Sequence, residues 1–389
     1  MLVTYSTAKA LIPTAVALGN FDGLHRGHQR VIQPVLKTKQ VASGFGRRVG
    51  EFSNSEEKIY PTVVTFNPHP QEFFSGQPRA LLTPLEEKTQ QLSIWGIKQL
   101  VLMPFDRELA ARSPQDFVEK ILVQQLHTQM ISVGEDFCFG KQRSGTATDL
   151  QAIASNFGIP VTIVPNFTCQ GDRISSSAIR HALTEGNLQR AKQLLDRPYI
   201  LTGIVVKGQQ LGRTIGFPTA NIQLPPNKFI PRQGVYAVRV FIEGEGHRSQ
   251  PCAYFPKAIS GGIIPDVTCR PVERRSVGRG ENLIQNPKPK IQTSSSHQPL
   301  ASSRPPLGIG VMNIGYRPTV SGSTQTVEIH LLDWSGDLYG KTLTVELEEF
   351  LRPEQKFASL EELKAQINAD CAKAKSVLLG ESGDYQQVI

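Results

Sequence analysis

VALGNFDGLHRGH, residues 16–28, decides how this chain is read. Apolar and small residues run into a turn of glycines, an aspartate and two histidines, and then into helix-forming sequence near His28. In an open α/β sheet, ligands collect beyond the carboxyl ends of the strands. There the next helix offers unpaired N–H groups and partial positive charge to an anion. Gly19, Gly23 and Gly27 let the backbone approach a phosphate closely. His25 and His28 add donors that are charged or neutral near pH 7, suited to negative charge building on a phosphoryl group under attack. An isolated pair of histidines three apart is equally an ordinary surface or core feature, and no third and fourth ligand stand at zinc-site spacing. The stretch as a whole is far more specific than its histidines.

Around it, the first 185 residues alternate strand-like and helix-like runs, the pattern of a parallel sheet covered by helices. Strands are predicted at Thr14–Gly19, Pro61–Phe66, Lys98–Pro104, Gln129–Val133 and Pro160–Pro165. Ser113 and Pro114 open a predicted helix that runs to about Leu126. Residues 38–58 are polar and rich in Gly and Ser, and read as a surface loop. Near Tyr199 the pattern changes to short β-rich runs, among them LTGIVVKG, GVYAVRVFIEG, TVEIHLLDW and KTLTVELEEF, separated by Gly/Pro turns without crossover helices. That predicts a small antiparallel β-barrel. Ser359 and Glu362 fit a capping box that starts a closing helix through about Ala374. The expected organisation is an α/β domain over 1–185, a helical linker over 186–198, and a β-barrel domain over 199–389.

The chain has 389 residues, 42 Lys+Arg against 34 Asp+Glu, and a formal charge of +8. No uncharged apolar run approaches the roughly 20 residues needed to cross a bilayer, and the first twenty residues lack the features of a secretory signal. A cytoplasmic protein with no membrane partner is expected. Five scattered cysteines contain no C-x-x-C pair, which favours free thiols. Residues 258–306 hold seven Pro, seven Ser, seven basic and three acidic residues and no aromatic one, a composition too poor in apolar surface to offset the entropy of ordering. A disordered insertion is expected there. It carries half of the chain's positive excess, so the remainder is only mildly basic.

Two further stretches bear on chemistry. RISSSAIR, residues 173–180, reads as a turn opening a helix. The hydroxyls of Ser176 and Ser177 and the free helical N–H groups make an anion site, and Arg180 can fork onto phosphate oxygens. Taken alone, this is also simply a capped helix with a solvated arginine. GIVVKGQQLGRTIGFPTANI, residues 203–222, fails as a Walker P-loop because Gln209 and Gln210 stand where Lys-Ser/Thr is required. What remains is a glycine-rich loop, Gly208, Gly212 and Gly216 with Arg213, entering an extended Pro-Thr-Ala-Asn segment. Residues two apart in an extended chain share a side, so Thr219 and Asn221 can aim neutral oxygens at one Mg²⁺. In isolation the same tetrapeptide is also a turn satisfying its own backbone.

With TFNPHPQEFF at 65–74, LLTPLEEK at 81–88 and VGEDFCFGKQRSGT at 133–146, the first motif set resembles the Rossmann-like nucleotidyltransferase domain of the bacterial bifunctional riboflavin kinase/FAD synthetase family. The second resembles that family's kinase barrel, and the match continues through GVYAV at 234–238, GVMNIGYRPTV at 310–320, VEIHLLDW at 327–334 and FLRPEQKF at 350–357. The resemblance implies that His25 and His28 stabilise the α-phosphate of ATP during attack by the FMN phosphate. It also implies that Asn20, Asp22 and Gly27 shape the pocket and that Arg180 holds the triphosphate. Ser177 stands where the family most often has threonine and keeps the hydroxyl. In the barrel, the resemblance makes Glu328 the base for the riboflavin hydroxyl. ATP is the co-substrate, Mg²⁺ the cofactor, and riboflavin and FMN the other small-molecule partners.

The family joins the strands flanking 258–306 by a short turn, so the insertion is expected to loop out of the barrel. An insertion that damages the kinase, leaving only adenylyl transfer, stays open as the alternative. So does a nucleotidyltransferase acting on another phosphorylated acceptor. Pro34 inside the helix after His28 predicts a kink or an early end. Nucleic-acid binding is disfavoured, because no K-M-S-K-S-like segment, anticodon-binding domain or aromatic-plus-basic stripe accompanies the histidine motif. Oligomeric state is not legible in these residues.

Overall fold

The computed structural model describes residues 1–38, 58–208, 211–243, 306–319 and 322–380. Nearly all of the expected loop at 38–58 and of the insertion at 258–306 lies outside the described residues, as do Cys252 and Cys269. Cys138, Cys169 and Cys371 are free thiols.

The first half is built on β1 (Leu2–Thr4), β2 (Thr14–Leu18), β3 (Tyr60–Asn67), β4 (Gln99–Pro104), β5 (Thr128–Gly134) and β8 (Val161–Val164), with β6 (Cys138–Phe139) and β7 (Gly145–Thr146) as a short ribbon. A second ribbon, β9 (Thr168–Cys169) and β10 (Asp172–Arg173), precedes the helix Ser176–Thr184. The main sheet runs β1-β4-β3-β2-β5-β8, all parallel. Every residue of the central strand β2 is buried. Val16 and Leu18 face one hydrophobic layer and Ala15 and Ala17 the other, as a sheet covered by helices on both faces requires. Because β3 and β5 flank β2, the chain leaves β2 at a point where strand order reverses, and a crevice opens at its carboxyl end.

The second half comprises β11 (Tyr199–Val206), β12 (Ala220–Gln223), β13 (Gly234–Ile242), β14 (Gly308–Thr319), β15 (Gly322–Leu331) and β16 (Thr342–Arg352). They close into an antiparallel barrel in the order β11-β12-β15-β14-β13-β16. Leu343, Val345 and Leu347 alternate inward along β16. Their core is continuous with the helices Ser176–Thr184 and Leu188–Leu195, which pack on the barrel.

Pro34 lies inside the helix and does not end it at that residue. The helix spans Arg26–Lys37, starting two residues earlier than expected. It ends within one turn of Pro34, whose carbonyl accepts from the Thr38 hydroxyl at 3.2 Å. The helix from Pro114 is capped by Ser113 as expected, but from Phe117 to Gln125 it is wound as a π-helix. The closing helix is longer than expected, Leu360–Leu379. Ser359 caps it, and Ala374 and Leu378 cover the outward-facing Val235 and Ala237 of β13.

That helix is clamped by Arg352, whose Nε donates to both oxygens of Asp370 at 3.0 Å while Nη2 donates to Oδ2 at 2.7 Å. Asp370→Ala leaves the guanidinium without its carboxylate in a largely buried position. We expect a loss of about 3 kcal/mol of stability, read as a lower urea midpoint, whereas an exposed pair would shift it by under about 1 kcal/mol.

Candidate active sites

After β2 the chain makes a tight loop in which Phe21 (φ 48°), Gly23 (φ 90°) and Leu24 (φ 45°) all take left-handed conformations. This geometry is costly for Phe and Leu, and it is held because both side chains are fully buried in the core. The loop's carbonyls are tied from several directions. Asn20 O accepts from the Thr65 hydroxyl at 3.0 Å and from Lys88 Nζ at 3.4 Å. Gly23 O and Leu24 O accept from Arg197 at 2.8 and 3.2 Å. Burial pulls Arg197 down to about 10, which still leaves it charged at neutral pH.

The helix Arg26–Lys37 is capped by a histidine. His25 Nδ1 accepts from the backbone N–H of His28 at 3.3 Å, which leaves the ring proton on Nε2. The two imidazoles stack, with centroids 3.7 Å apart and planes 17° from parallel. A side chain on Gly27 would crowd the His25 ring at 3.1 Å, so glycine leaves the ring its room. Burial, reinforced by Arg197, pulls His25 down to about 4. Burial also holds His28 well below its ordinary 6.5, with the His25 ring the next influence. The pair is therefore neutral at pH 7 and offers N–H donors rather than imidazolium charge.

Asp22, 3% exposed, joins three segments. Its Oδ1 accepts from the Thr83 N–H at 3.2 Å and its Oδ2 from Arg180 at 2.5 Å, while its carbonyl accepts from the Ser176 hydroxyl at 2.7 Å. The serines of RISSSAIR thus have separate tasks. Ser175 caps the helix Ser176–Thr184, Ser176 ties it to the Asp22 loop, and Ser177 borders the cavity. Arg180 also donates to Ala80 O at 2.8 Å and stands over the Phe229 ring at 5.5 Å, leaving Nη1 buried and without a partner.

His25, His28, Asp22 and Ser175 to Ser177 border one cavity of about 890 Å³ that also takes in Gly19, Asn20, Gly27 and Asn166, whereas Arg180, tied behind Asp22, does not reach its lining. Sequence reasoning quoted TFNPHPQEFF without assigning roles within it. In the fold, His69 from that stretch borders the cavity and is pulled down to about 4 by burial, with Arg79 adding to the effect. Phe73 and Phe74 pack edge-on against Phe105 at 5.3 and 5.8 Å, and Phe74 is 72% exposed at the cavity rim. Arg197 was missed altogether, because an isolated arginine outside any motif carries no local signal.

In the barrel, β12 lies between β11 and β15, and Asn221 stands directly opposite Glu328. Directly opposite residues share a face. The Thr219 hydroxyl lies 3.5 Å from Glu328 Oε2, so Thr219, Asn221 and Glu328 form one oxygen-rich cluster. Gly208 packs so closely that a Cβ would come within 2.2 Å of the Asn221 amide. One on Gly212 would meet Phe217 O at 2.3 Å, and Gly216 turns the chain at φ 93°. Arg213 is exposed on the short helix Leu211–Thr214. On the other side of Glu328 stands Asn313 of β14, which donates to Glu354 at 3.3 Å. A smaller cavity of about 450 Å³ borders Pro218, His330 and Trp334. Among the described residues no group of three or more His, Cys, Asp or Glu is arranged to hold a metal ion. Any cation at Thr219 and Asn221 would rest on neutral oxygens, phosphate and water.

His25 and His28 take up a proton near 6.5 in the unfolded chain and resist it in the fold. The unfolded state therefore binds more protons below pH 6.5, and their contribution to stability falls from there down to the folded His25 value of about 4. The imidazole resonances of His25 and His28 are expected to stay at neutral-form positions from about pH 8 to about pH 5. Titration of either near 6.5 would contradict this burial.

Comparison with known proteins agrees with this two-site layout. The family model for FAD synthetase matches residues 7–178 and that for riboflavin kinase residues 195–378. The bifunctional riboflavin kinase/FMN adenylyltransferase of Escherichia coli K12 is 36% identical over 356 residues, covering 91% of this chain and 90% of its own. Those of Haemophilus influenzae (33%, 96% of each chain) and Bacillus subtilis (30%, 93% of this chain and 91% of its own) are similar along the same length. A solved Streptococcus pneumoniae chain described as a macrolide-efflux protein shares the fold, with a TM-score of 0.69 at 24% identity over 96% of this chain and 98% of its own. A nucleotide-sized cavity at a strand end, a Thr–Asn–Glu cluster on a closed barrel and relatives aligned across both halves lead to one conclusion: this chain belongs to the bifunctional riboflavin kinase/FMN adenylyltransferase family.

Proposed function

We propose that the two reactions are divided between the two clusters, with adenylyl transfer in the cavity at the end of β2 and phosphorylation of riboflavin beside β12 and β15. The corresponding domains are 1–185 and 199–389, joined by 186–198. What supports this division is that the polar groups gather in two places, each with chemistry suited to one reaction. The substrates are riboflavin, FMN and ATP. Among the described residues no helix is long and apolar enough to cross a membrane, and a cytoplasmic location suits substrates of this kind.

In the first site a phosphate oxygen of FMN attacks the α-phosphorus of ATP, the bond to the β-phosphate breaks, and pyrophosphate leaves. No proton has to move from a carbon or hydroxyl, so positioning and electrostatics dominate. Neutral His25 and His28 donate N–H bonds to the α-phosphate as its charge redistributes, from a buried setting where such bonds are strong. Gly19, Asn20 and Gly27 let the phosphates lie close to the loop and the helix N-terminus. Asp22 holds that loop's shape. Ser177 extends the donor set toward the triphosphate, with Ser176 fixing its helix, and Arg180, which the resemblance gives to the triphosphate, acts from behind the cavity by holding Asp22.

In the second site the primary hydroxyl of riboflavin attacks the γ-phosphorus, its proton passes to the Glu328 carboxylate, and ADP leaves. Thr219 and Asn221 supply neutral oxygens of the kind Mg²⁺ takes alongside phosphate, with Gly208 and Gly212 leaving room for the chain to close over them. Bound there, Mg²⁺ would neutralise charge on the transferring phosphates. Gly216 and Arg213 belong to the same loop, on its solvent side.

Separate assays of FMN and FAD formation test the division. His28→Ala should cut FAD formation about 100-fold or more and leave FMN formation within about twofold. Asn221→Ala or Glu328→Ala should do the reverse. Equal loss of both activities in a folded variant would overturn it.

A further inference from the structure

The barrel half also reaches the loop after β2, through a residue that does not border its cavity. Lys228 lies between β12 and β13, and its side chain is completely inaccessible. Its ammonium donates to Glu87 Oε2 at 2.6 Å and to Leu82 O at 2.9 Å, and stands 4.5 Å from the centroid of the Tyr199 ring. The backbone on either side of it is fastened to the α/β half. Leu81 N–H donates to Asn227 O at 2.6 Å, and Phe229 N–H donates to Leu81 O at 2.8 Å.

The segment held in this way holds the active-site loop in turn. The peptide unit between Leu82 and Thr83 accepts Lys228 on its oxygen and donates its N–H to Asp22 Oδ1 at 3.2 Å. One planar group therefore joins a barrel cation to the loop carboxylate. Charge on the carbonyl side polarises the amide and strengthens it as a donor. Immediately after Glu87, Lys88 donates to Asn20 O at 3.4 Å. Fixing the first turn of the helix Leu85–Ile94 through Glu87 thus fixes a second support of the same loop. A buried ion pair is a poor way merely to glue two surfaces, since well-packed apolar residues do so at least as well. What the pair adds is direction.

Resting on the placement of adenylyl transfer at the end of β2, we propose that Lys228 is a positioning residue for that reaction. It acts from the barrel half through the Leu82–Thr83 peptide on Asp22, and so on the loop that presents His25 and His28. Because Lys228 is buried and does not border the cavity, its removal should misplace the loop without removing a binding contact. Small misplacements are costly in rate.

The test is Lys228→Met in the full-length chain, with steady-state kinetics of both activities. FAD formation from FMN and ATP should lose about tenfold or more in kcat, with KM for FMN and ATP within about threefold and riboflavin phosphorylation within about twofold. If the orphaned Glu87 unfolds the variant, seen as loss of both activities, the paired variant Glu87→Gln/Lys228→Met removes both charges and must give the same kcat-selective loss. An unchanged kcat, a loss confined to KM, or loss of both activities in the paired variant too would overturn the proposal. His28→Ala is assayed alongside. If it leaves FAD formation intact, the site assignment itself fails, whereas failure of Lys228→Met alone leaves that assignment standing.

Discussion

The molecule turns on the buried carboxylate of Asp22. A charge 3% exposed is tolerable only when fully partnered, and its partners come from two distant parts of the chain. The Thr83 amide comes from the segment before the helix Leu85–Ile94, and the Arg180 guanidinium comes from the helix Ser176–Thr184. Its own carbonyl holds Ser176. Together these bonds set the angle between the loop after β2 and the helix that forms the far wall of the cavity. They also explain how Phe21 and Leu24 can remain left-handed. The strain is local, while the restraints come from the core and from polar ties on several sides.

On the proposed division, the two sites use different chemistry because their nucleophiles differ. The nucleophile for adenylyl transfer is already an anion, so its site needs no base, and its histidines are buried until neutral. The nucleophile for the kinase reaction is an alcohol, and its site keeps a carboxylate beside a neutral oxygen pair on adjacent strands. Exchanging these environments would serve neither reaction. A solvated imidazolium pair would hold phosphate tightly before as well as during transfer, and a barrel strand without Glu328 would lack the carboxylate proposed to accept the hydroxyl proton.

Both architectures were legible because each is written in short-range pattern. The β2 run and its neighbours read as buried parallel strands, and the alternation in KTLTVELEEF predicted a strand with one face inward, as β16 shows. The residues in VALGNFDGLHRGH and GFPTAN were recognisable through the family resemblance of the whole stretches, since taken alone the Pro-Thr-Ala-Asn segment reads equally as a turn. What stayed hidden depends on contacts between distant segments. Arg197 and Lys228 stand in no motif, and nothing near them in sequence indicates that one ties carbonyls behind the histidines and the other crosses between halves. The π-wound stretch Phe117–Gln125 was hidden for another reason, since its apolar spacing suits an ordinary helix as well. The closing helix outran its expected end because Gly380, rather than any change of pattern at Ala374, stops it.

The central claim is that one chain makes FMN in one place and consumes it in another. A time course with purified protein, riboflavin, ATP and Mg²⁺, separated chromatographically into riboflavin, FMN and FAD, tests it most directly. FMN should rise first and FAD follow at its expense, with one pyrophosphate released for each FAD. FMN accumulating with no FAD, or no flavin product at all, would contradict the account.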